Sequence, residues 1–311
     1  MPLPELSSPA DHQANLRQRA AVASLATAIA LVVIKLGAVI VTGSVAVLST
    51  LLDSAADVVA SLVALFGVRH AAKPADQKHR FGHGKADALS ALAHGVFIAA
   101  AGLLIVADAV RRLLINPEPV ATPQIGLLAM IACFAITGVL VLYQRHVVRK
   151  AGSQAIRADC LNHTGDLLTM AAVFLSLLLS KATGLLWVDP LAALLIALWL
   201  FLNATRVTMS AIDELMDREL PTSYRRKVKS LITDHPDVHD LHDLRTRGAG
   251  PSVFIDVHCE IDGALSLDQV HTVMDEIEQK LDQAVPNAQI TIHPEPAGID
   301  DDRLDNRLTG T

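Results

Sequence analysis

Apolar residues gather in six runs long enough to cross a lipid bilayer as helices, at roughly 20–41, 45–68, 87–109, 123–145, 158–182 and 187–208. Between the runs stand residues that turn or break a helix: Thr42-Gly43-Ser44, Lys73-Pro74, Asn116-Pro117, Ala151-Gly152-Ser153 and Asp189-Pro190. Beyond residue 208 the period changes. A Pro-started amphipathic helix is predicted over 221–234, then strands near 240–246 and 252–261, where Val253, Ile255 and Val257 alternate. A helix over 266–284, opened by Ser266, and a strand at 288–293 complete the pattern. That order predicts a compact α+β layer with its helices on one face of a small sheet.

Composition narrows the class. The 311 residues are 51% apolar and only 4% aromatic, with a mean hydropathy of +0.40. This excludes a disordered chain, argues against an ordinary soluble enzyme, and leaves too few aromatic residues for a girdled β-barrel. Charge separates the two halves: residues 209–311 carry a net −11 and residues 1–208 a net +5, within an overall −6. The N-terminal segment and the loops after the second and fourth runs hold Arg17, Arg19, Arg69, Lys73, Lys78, Arg80, Lys85, Arg145, Arg149, Lys150 and Arg157, against Arg111, Arg112 and Lys181 on the other side. By the positive-inside rule both termini are expected in the cytoplasm. The reading is therefore a cytoplasmic segment at 1–19, a transmembrane domain at 20–208, a cytoplasmic domain at 209–296, and an acidic tail at 297–311 expected to be disordered. Nothing in the first 20 residues resembles a cleavable signal, so the first hydrophobic helix is expected to direct insertion. Cys133, Cys160 and Cys259 are unpaired in spacing and read as reduced. No basic patch interleaved with aromatics points to nucleic acid.

Charged residues within the apolar runs carry the chemistry. Asp53 and Asp57 stand four apart in the second run, hence on one helical face, and Asn162 and Asp166 repeat the spacing in the fifth. Each mid-membrane carboxylate costs roughly 2.5–3.5 kcal/mol on insertion scales, and two together also repel. Facing pairs from two helices offer three carboxylates and an amide oxygen, or an imidazole from His163, to one divalent cation. A structural reading, with each Asp bonded to neighbouring Ser or Thr, stands beside this one. At 100° per residue Asn162 lies about 40° from Asp166 on the helix and His163 about 60°, so the two compete as fourth ligand. Lys35 is expected to snorkel or to pair with an Asp, His94 to be a hydrogen-bonded interior residue, and Asp159 to be solvated near the cytoplasmic edge. In the loop after the second run, Asp76, His79 and His83 have a spacing suited to a small oxygen/nitrogen metal site, with solvated basic-loop histidines as the alternative. In the C-terminal domain, His242, His258, His271, His293 and Glu295 come from separate elements and can converge on a zinc-type cluster.

Six helices, Asp53-x-x-x-Asp57, the pair ending at Asp166, Phe81-Gly82-His83-Gly84-Lys85 and His242-Asp243-Leu244-Arg245-Thr246-Arg247 together resemble the cation diffusion facilitator family, nearest its bacterial zinc/ferrous-iron efflux branch, over roughly residues 15–296. The resemblance implies a six-transmembrane-helix bundle with a C-terminal ferredoxin-like α+β domain. It also implies a homodimer in the bacterial inner membrane, not an enzyme, that exports divalent metal (zinc foremost, Fe(II) or manganese also) in exchange for protons. Asp53, Asp57, Asn162 and Asp166 map to the transport site, Asp76, His79 and His83 to the loop site, and the four histidines with Glu295 to the cytoplasmic cluster at the dimer interface. Lys85 and Asp217 match a charge interlock between protomers. Two departures stand out: that branch has His at Asn162, and His-Gln-Asp where this chain has His293-Pro294-Glu295. An all-oxygen first shell shifts preference from zinc towards manganese or ferrous iron. The rival classes are a metalloenzyme, for which no HExxH or comparable set is present, and a membrane-bound metal sensor or scaffold, which needs no buried Asp pairs.

Overall fold

The computed structural model describes residues 9–42, 45–114, 124–183, 188–285, 287–298 and 303. The breaks at Gly43-Ser44 and Asn116-Pro117 and most of the acidic tail lie outside the described residues. The chain divides into two units, Met1–Ile212 and Asp213–Thr311.

Six helices build the first: α1 (Pro9–Thr42), α2 (Val45–Ala71), α3 (Ala86–Leu114), α4 (Gln124–Ala151), α5 (Gln154–Thr183) and α6 (Val188–Leu215). Stretches of α1, α2, α3, α4 and α6 are long and apolar enough to cross a membrane. α5 matches them in length and carries the polar row Asp159, Asn162, His163 and Asp166 at buried and half-buried positions. Outward surfaces are apolar, with Leu36, Leu62, Leu103, Val139 and Leu195 exposed, as a lipid-facing bundle requires.

The helices overrun the apolar runs that predict them, because polar turns continue the same hydrogen-bond ladder past the hydrocarbon. α1 begins at Pro9 rather than near 20, and the Arg17 guanidinium Nε on this extension donates to the Ala151 carbonyl at 2.9 Å, meeting the C-terminal end of α4. Between α4 and α5 Gly152 turns the chain at φ +51°, and Asp87 of α3 accepts from the Ser153 hydroxyl (2.7 Å) and the Gln154 amide (2.6 Å), so a neighbouring helix caps α5. Small residues let helices approach closely. A Cβ at Gly95 would lie 2.1 Å from Thr208 Oγ1 of α6, and one at Gly165 would lie 2.5 Å from Leu200 Cδ2.

The second unit runs α7 (Thr222–Thr233), β1 (Val238–Ala249), β2 (Ser252–Ile261), α8 (Leu267–Ala284) and β3 (Ala288–Pro296). The sheet order is β1-β2-β3, with β1 and β2 antiparallel and β2 and β3 parallel across α8, which gives the ferredoxin-like αββαβ layer. Pro221 sits at the N-cap of α7, and Ser266 opens α8 with a reciprocal Ser266–Gln269 capping box. Val228, Ile232, Ile255, Val257, Cys259, Ile261, Ile277 and Leu281 form one core between the sheet and the two helices. A bulge in β1, centred on Asp243 at φ +54°, inserts one residue between His242, paired with His258, and Arg245, paired with Asp256. It lets Leu241 and Leu244 both join the core while His242 stays in the row of His258.

Candidate functional site

In the bundle, α2 presents Asp53 and Asp57, and α5 presents Asn162 and Asp166. At this pair of acids the two helices meet through the Asn162 amide Nδ2, which donates to Asp57 Oδ1 at 2.9 Å. Asp166 Oδ2 lies 3.4 Å from His163 Nδ1, while Asp53 stands exposed. Among the described residues, Asp53, Asp57 and Asp166 do not form a set with ligand atoms all within 4.8 Å of one another. Like-charged carboxylates separate unless a cation lies between them, and Asn162 meets this by turning its donor, not its oxygen, towards Asp57. Among the described residues Lys35 makes no close contact with an Asp. From α1 its Nζ donates to Ser54 Oγ at 2.6 Å and to the Thr50 carbonyl at 2.9 Å, which sets a cation against α2 at the residue that follows Asp53.

Asp159 overturns its expected solvation. It is fully buried, accepting from Gln144 Nε2 at 2.6 Å and from Ser61 Oγ at 3.5 Å. His94 is fully buried too, and among the described residues neither ring nitrogen has a hydrogen-bond partner, contrary to the bonded interior residue expected. A place at the expected cytoplasmic edge of the apolar run, which starts at 158, disguised Asp159 as a solvated residue. The signal that could have found it is Asp159-x-x-x-His163, one more i,i+4 pair on the same helix.

The loop between α2 and α3 gathers its three candidates. Asp76 Oδ1 accepts the backbone N–H groups of Lys78 (2.8 Å) and His79 (2.7 Å), and these bonds, that of His79 foremost, hold the carboxyl below the usual carboxylate range. His79 Nδ1 and His83 Nε2 each stand 3.4 Å from an Asp76 oxygen. His83 Nδ1 lies 3.1 Å from the Pro74 carbonyl; donating there fixes the tautomer that leaves Nε2 a lone pair for a metal. Gly82 takes φ +84° at the turn.

In the C-terminal unit His242, His258 and His293 are directly opposed across the three strands, with ring centroids 5.2 and 4.8 Å apart. Glu295, two residues beyond His293, reaches all three: 2.8 Å to His258 Nδ1, and 3.3 Å each to His242 Nε2 and His293 Nε2. His242, His258 and Glu295 offer ligand atoms within 4.8 Å of one another. His271 is not with them. It is exposed on α8, 3.6 Å from Asp275, because α8 turns Val273, Met274 and Ile277 onto the sheet, and a residue two positions before Val273 points away. Glu260, which the sequence did not single out, lies 3.5 Å from His242 Nδ1 and accepts from Arg303 at 2.7 Å. Asp217, expected in a charge interlock, meets Arg247 at 3.2 Å within its own chain. Burial pushes the Cys259 thiol up to about 12, so it supplies no thiolate at neutral pH.

Six packed helices with an apolar exterior and acids within, followed by a ferredoxin-like unit, define a multi-pass membrane protein built around polar sites. The chain belongs to the cation efflux family: residues 21–216 match its transmembrane domain and residues 220–297 match the cytoplasmic domain of cation efflux proteins. It is 40% identical over 285 residues to the cation-efflux pump FieF of Cronobacter sakazakii, covering 92% of this chain and 94% of that one. It is 39% identical over 290 residues to the FieF pumps of Salmonella newport and Escherichia coli O139:H28, again over 92% and 94% of the two chains.

Proposed function

We propose that this protein exports a divalent first-row metal ion, with zinc foremost and ferrous iron and manganese as alternatives, from the cytoplasm of a bacterium across its inner membrane in exchange for protons. The observation that carries this reading is the junction of α2 and α5, where Asp57 and Asn162 meet inside an apolar bundle with Asp53 and Asp166 one turn away on the same helices. Three carboxylates in one low-dielectric region need neutralising, and a dication and protons can do so alternately. With a cation present, rotating Asn162 about its last side-chain torsion exchanges donor for oxygen, and Asp53 and Asp166 turn inward to complete an oxygen shell. Rocking of the helices then opens the site outward, where protonation of the carboxylates releases the metal.

The likeness to pumps named FieF over nearly the whole chain supports efflux as the direction. Both termini lie in the cytoplasm on this reading, following the Lys and Arg distribution. The protein works as a homodimer through its C-terminal unit, where the Glu295 cluster binds regulatory or structural metal, with Lys85 and Asp217 interlocking protomers near the membrane surface. Purified protein in vesicles with an acidic lumen tests the function. External zinc should enter the lumen with wild-type protein and not with Asp57→Ala, while both variants elute alike from size exclusion. Zinc binding without entry by wild-type protein would favour the sensor or scaffold.

A further inference from the structure

We propose that His94, Asp159 and His163 form a second divalent-metal site inside the bundle, a staging site for ions with affinity for imidazole. It deepens, and rests on, the export reading. The three side chains are fully buried. Asp159 and His163 share one face of α5, four residues apart, and His94 comes from α3. Both imidazoles aim at the same atom: His94 Nε2 and His163 Nε2 each stand 3.7 Å from Asp159 Oδ1.

Two ligands on a tetrahedral ion, with bonds of about 2.1 Å, stand about 3.4 Å apart. The two contacts to Asp159 Oδ1 are within a few tenths of an ångström of that, while the two imidazole nitrogens, more than 4.8 Å apart, must approach each other by at least about 1.4 Å when the ion binds. The trio is looser than the loop and C-terminal sets, whose ligand atoms lie within 4.8 Å of one another. His94 is the side chain that can tighten it, since among the described residues no hydrogen bond holds either of its ring nitrogens. Such a residue is rare in a protein interior, where buried polar groups are paired almost without exception. The oxygens nearby suit a cation. Ser24 Oγ lies 3.0 Å from His163 Nε2 and 3.0 Å from Ser61 Oγ, and Ser61 reaches Asp159. Gln144 holds Asp159 Oδ2 at 2.6 Å, and Oδ1, which accepts from Ser61 at a long 3.5 Å, faces the metal position.

The connection to transport is His163. Its Nε2 faces this cluster, while its Nδ1 lies 3.4 Å from Asp166 Oδ2. Asp159 is nearer than Asp166 to the N-terminal end of α5, the cytoplasmic end on the proposed orientation. A metal held by two imidazoles and a carboxylate is thus one side chain from the oxygen site. Two nitrogens favour zinc, cobalt or ferrous iron over manganese, so this site selects for imidazole-loving ions ahead of an oxygen shell that does not.

The test is cobalt binding to the full-length protein in detergent, in a background with the other candidate sites removed (Asp57→Ala, Asp166→Ala, Asp76→Ala, His83→Ala, His258→Ala and Glu295→Ala). Equilibrium dialysis is expected to retain one cobalt per protomer, and X-ray absorption to count two imidazoles on it, in protein whose cluster is intact. His94→Gln, close in size and still polar, should weaken this binding at least 100-fold with elution on size exclusion unchanged. No bound cobalt in the background, or a cobalt without imidazole ligands, or equal affinity after His94→Gln, would overturn the proposal. Because the transport acids are absent from this background, the result is independent of flux: a protein that fails to export can still pass, and an exporter can still fail.

Discussion

Replacing Glu295 by Gln removes one charge from the C-terminal cluster and almost no volume. In the wild-type unit one carboxylate serves His258 at 2.8 Å and His242 and His293 at 3.3 Å, with only 15% of its side chain exposed. The amide keeps a single acceptor oxygen and must turn its NH2 towards an imidazole, so at most part of this network survives. Hydrogen bonds to charged groups contribute about 1.5–3 kcal/mol, and residual exposure places this one at the lower end, so metal-free Glu295→Gln should be about 1–2 kcal/mol less stable. The larger effect is on metal. Even the loss of a residue that only supports a ligand costs 10–100-fold in affinity, and the proposal makes Glu295 a ligand itself, so we expect at least a 100-fold weaker Kd. At zinc equal to 100 times the wild-type Kd, linkage stabilises the wild-type unit by about 2.7 kcal/mol and the variant by only about 0.4 kcal/mol. Thermal unfolding of the full chain in detergent, with zinc and with chelator, reads both quantities. An unchanged zinc-dependent shift in the variant would refute the assignment of Glu295 as a ligand, whatever happened to the metal-free stability.

Three further outcomes follow from the same geometry. Ile277→Ala removes a fully buried side chain from the centre of the α8–sheet core and should cost about 2–5 kcal/mol by chemical denaturation, with the helical bundle intact. Burial raises the Cys259 thiol from 9.0 to about 12, so the folded unit resists ionisation; stability from this group is complete below pH 9 and is lost progressively as pH rises towards 12, and iodoacetamide at pH 8 should label Cys259 only after unfolding. The Asp76 carboxyl is held low by backbone N–H groups, so the turn it caps is favoured above its unfolded value and lost as pH falls through the folded one; a carbon-detected NMR titration should find the Asp76 midpoint below that of an unstructured Asp.

Much of the fold is legible in the residue pattern because each element satisfies one dominant constraint. Apolar runs had to become helices in lipid, Ser266 had to cap, and alternating Val253, Ile255 and Val257 had to face a core. What escaped reading depends on partners distant in sequence. The row His242–His258–His293 requires the Asp243 bulge, whose positive φ no alternation rule announces, and the exclusion of His271 depends on which side of α8 meets the sheet. Asp159 looked solvated because it falls one residue inside the expected cytoplasmic edge of the apolar run that starts at 158; only the packing of α1, α2, α3 and α4 around α5 buries it. The direction of the Asn162 amide is likewise set by Asp57, 105 residues away.

The account stands on metal and protons occupying the same acids in turn. Vesicles loaded with both a zinc-sensitive and a pH-sensitive dye measure the two fluxes together. The account predicts zinc entering as the acidic lumen becomes more alkaline, with both signals abolished by Asp57→Ala and by Asp166→Ala. Zinc entry with no accompanying proton movement, or entry that persists in either variant, would contradict it.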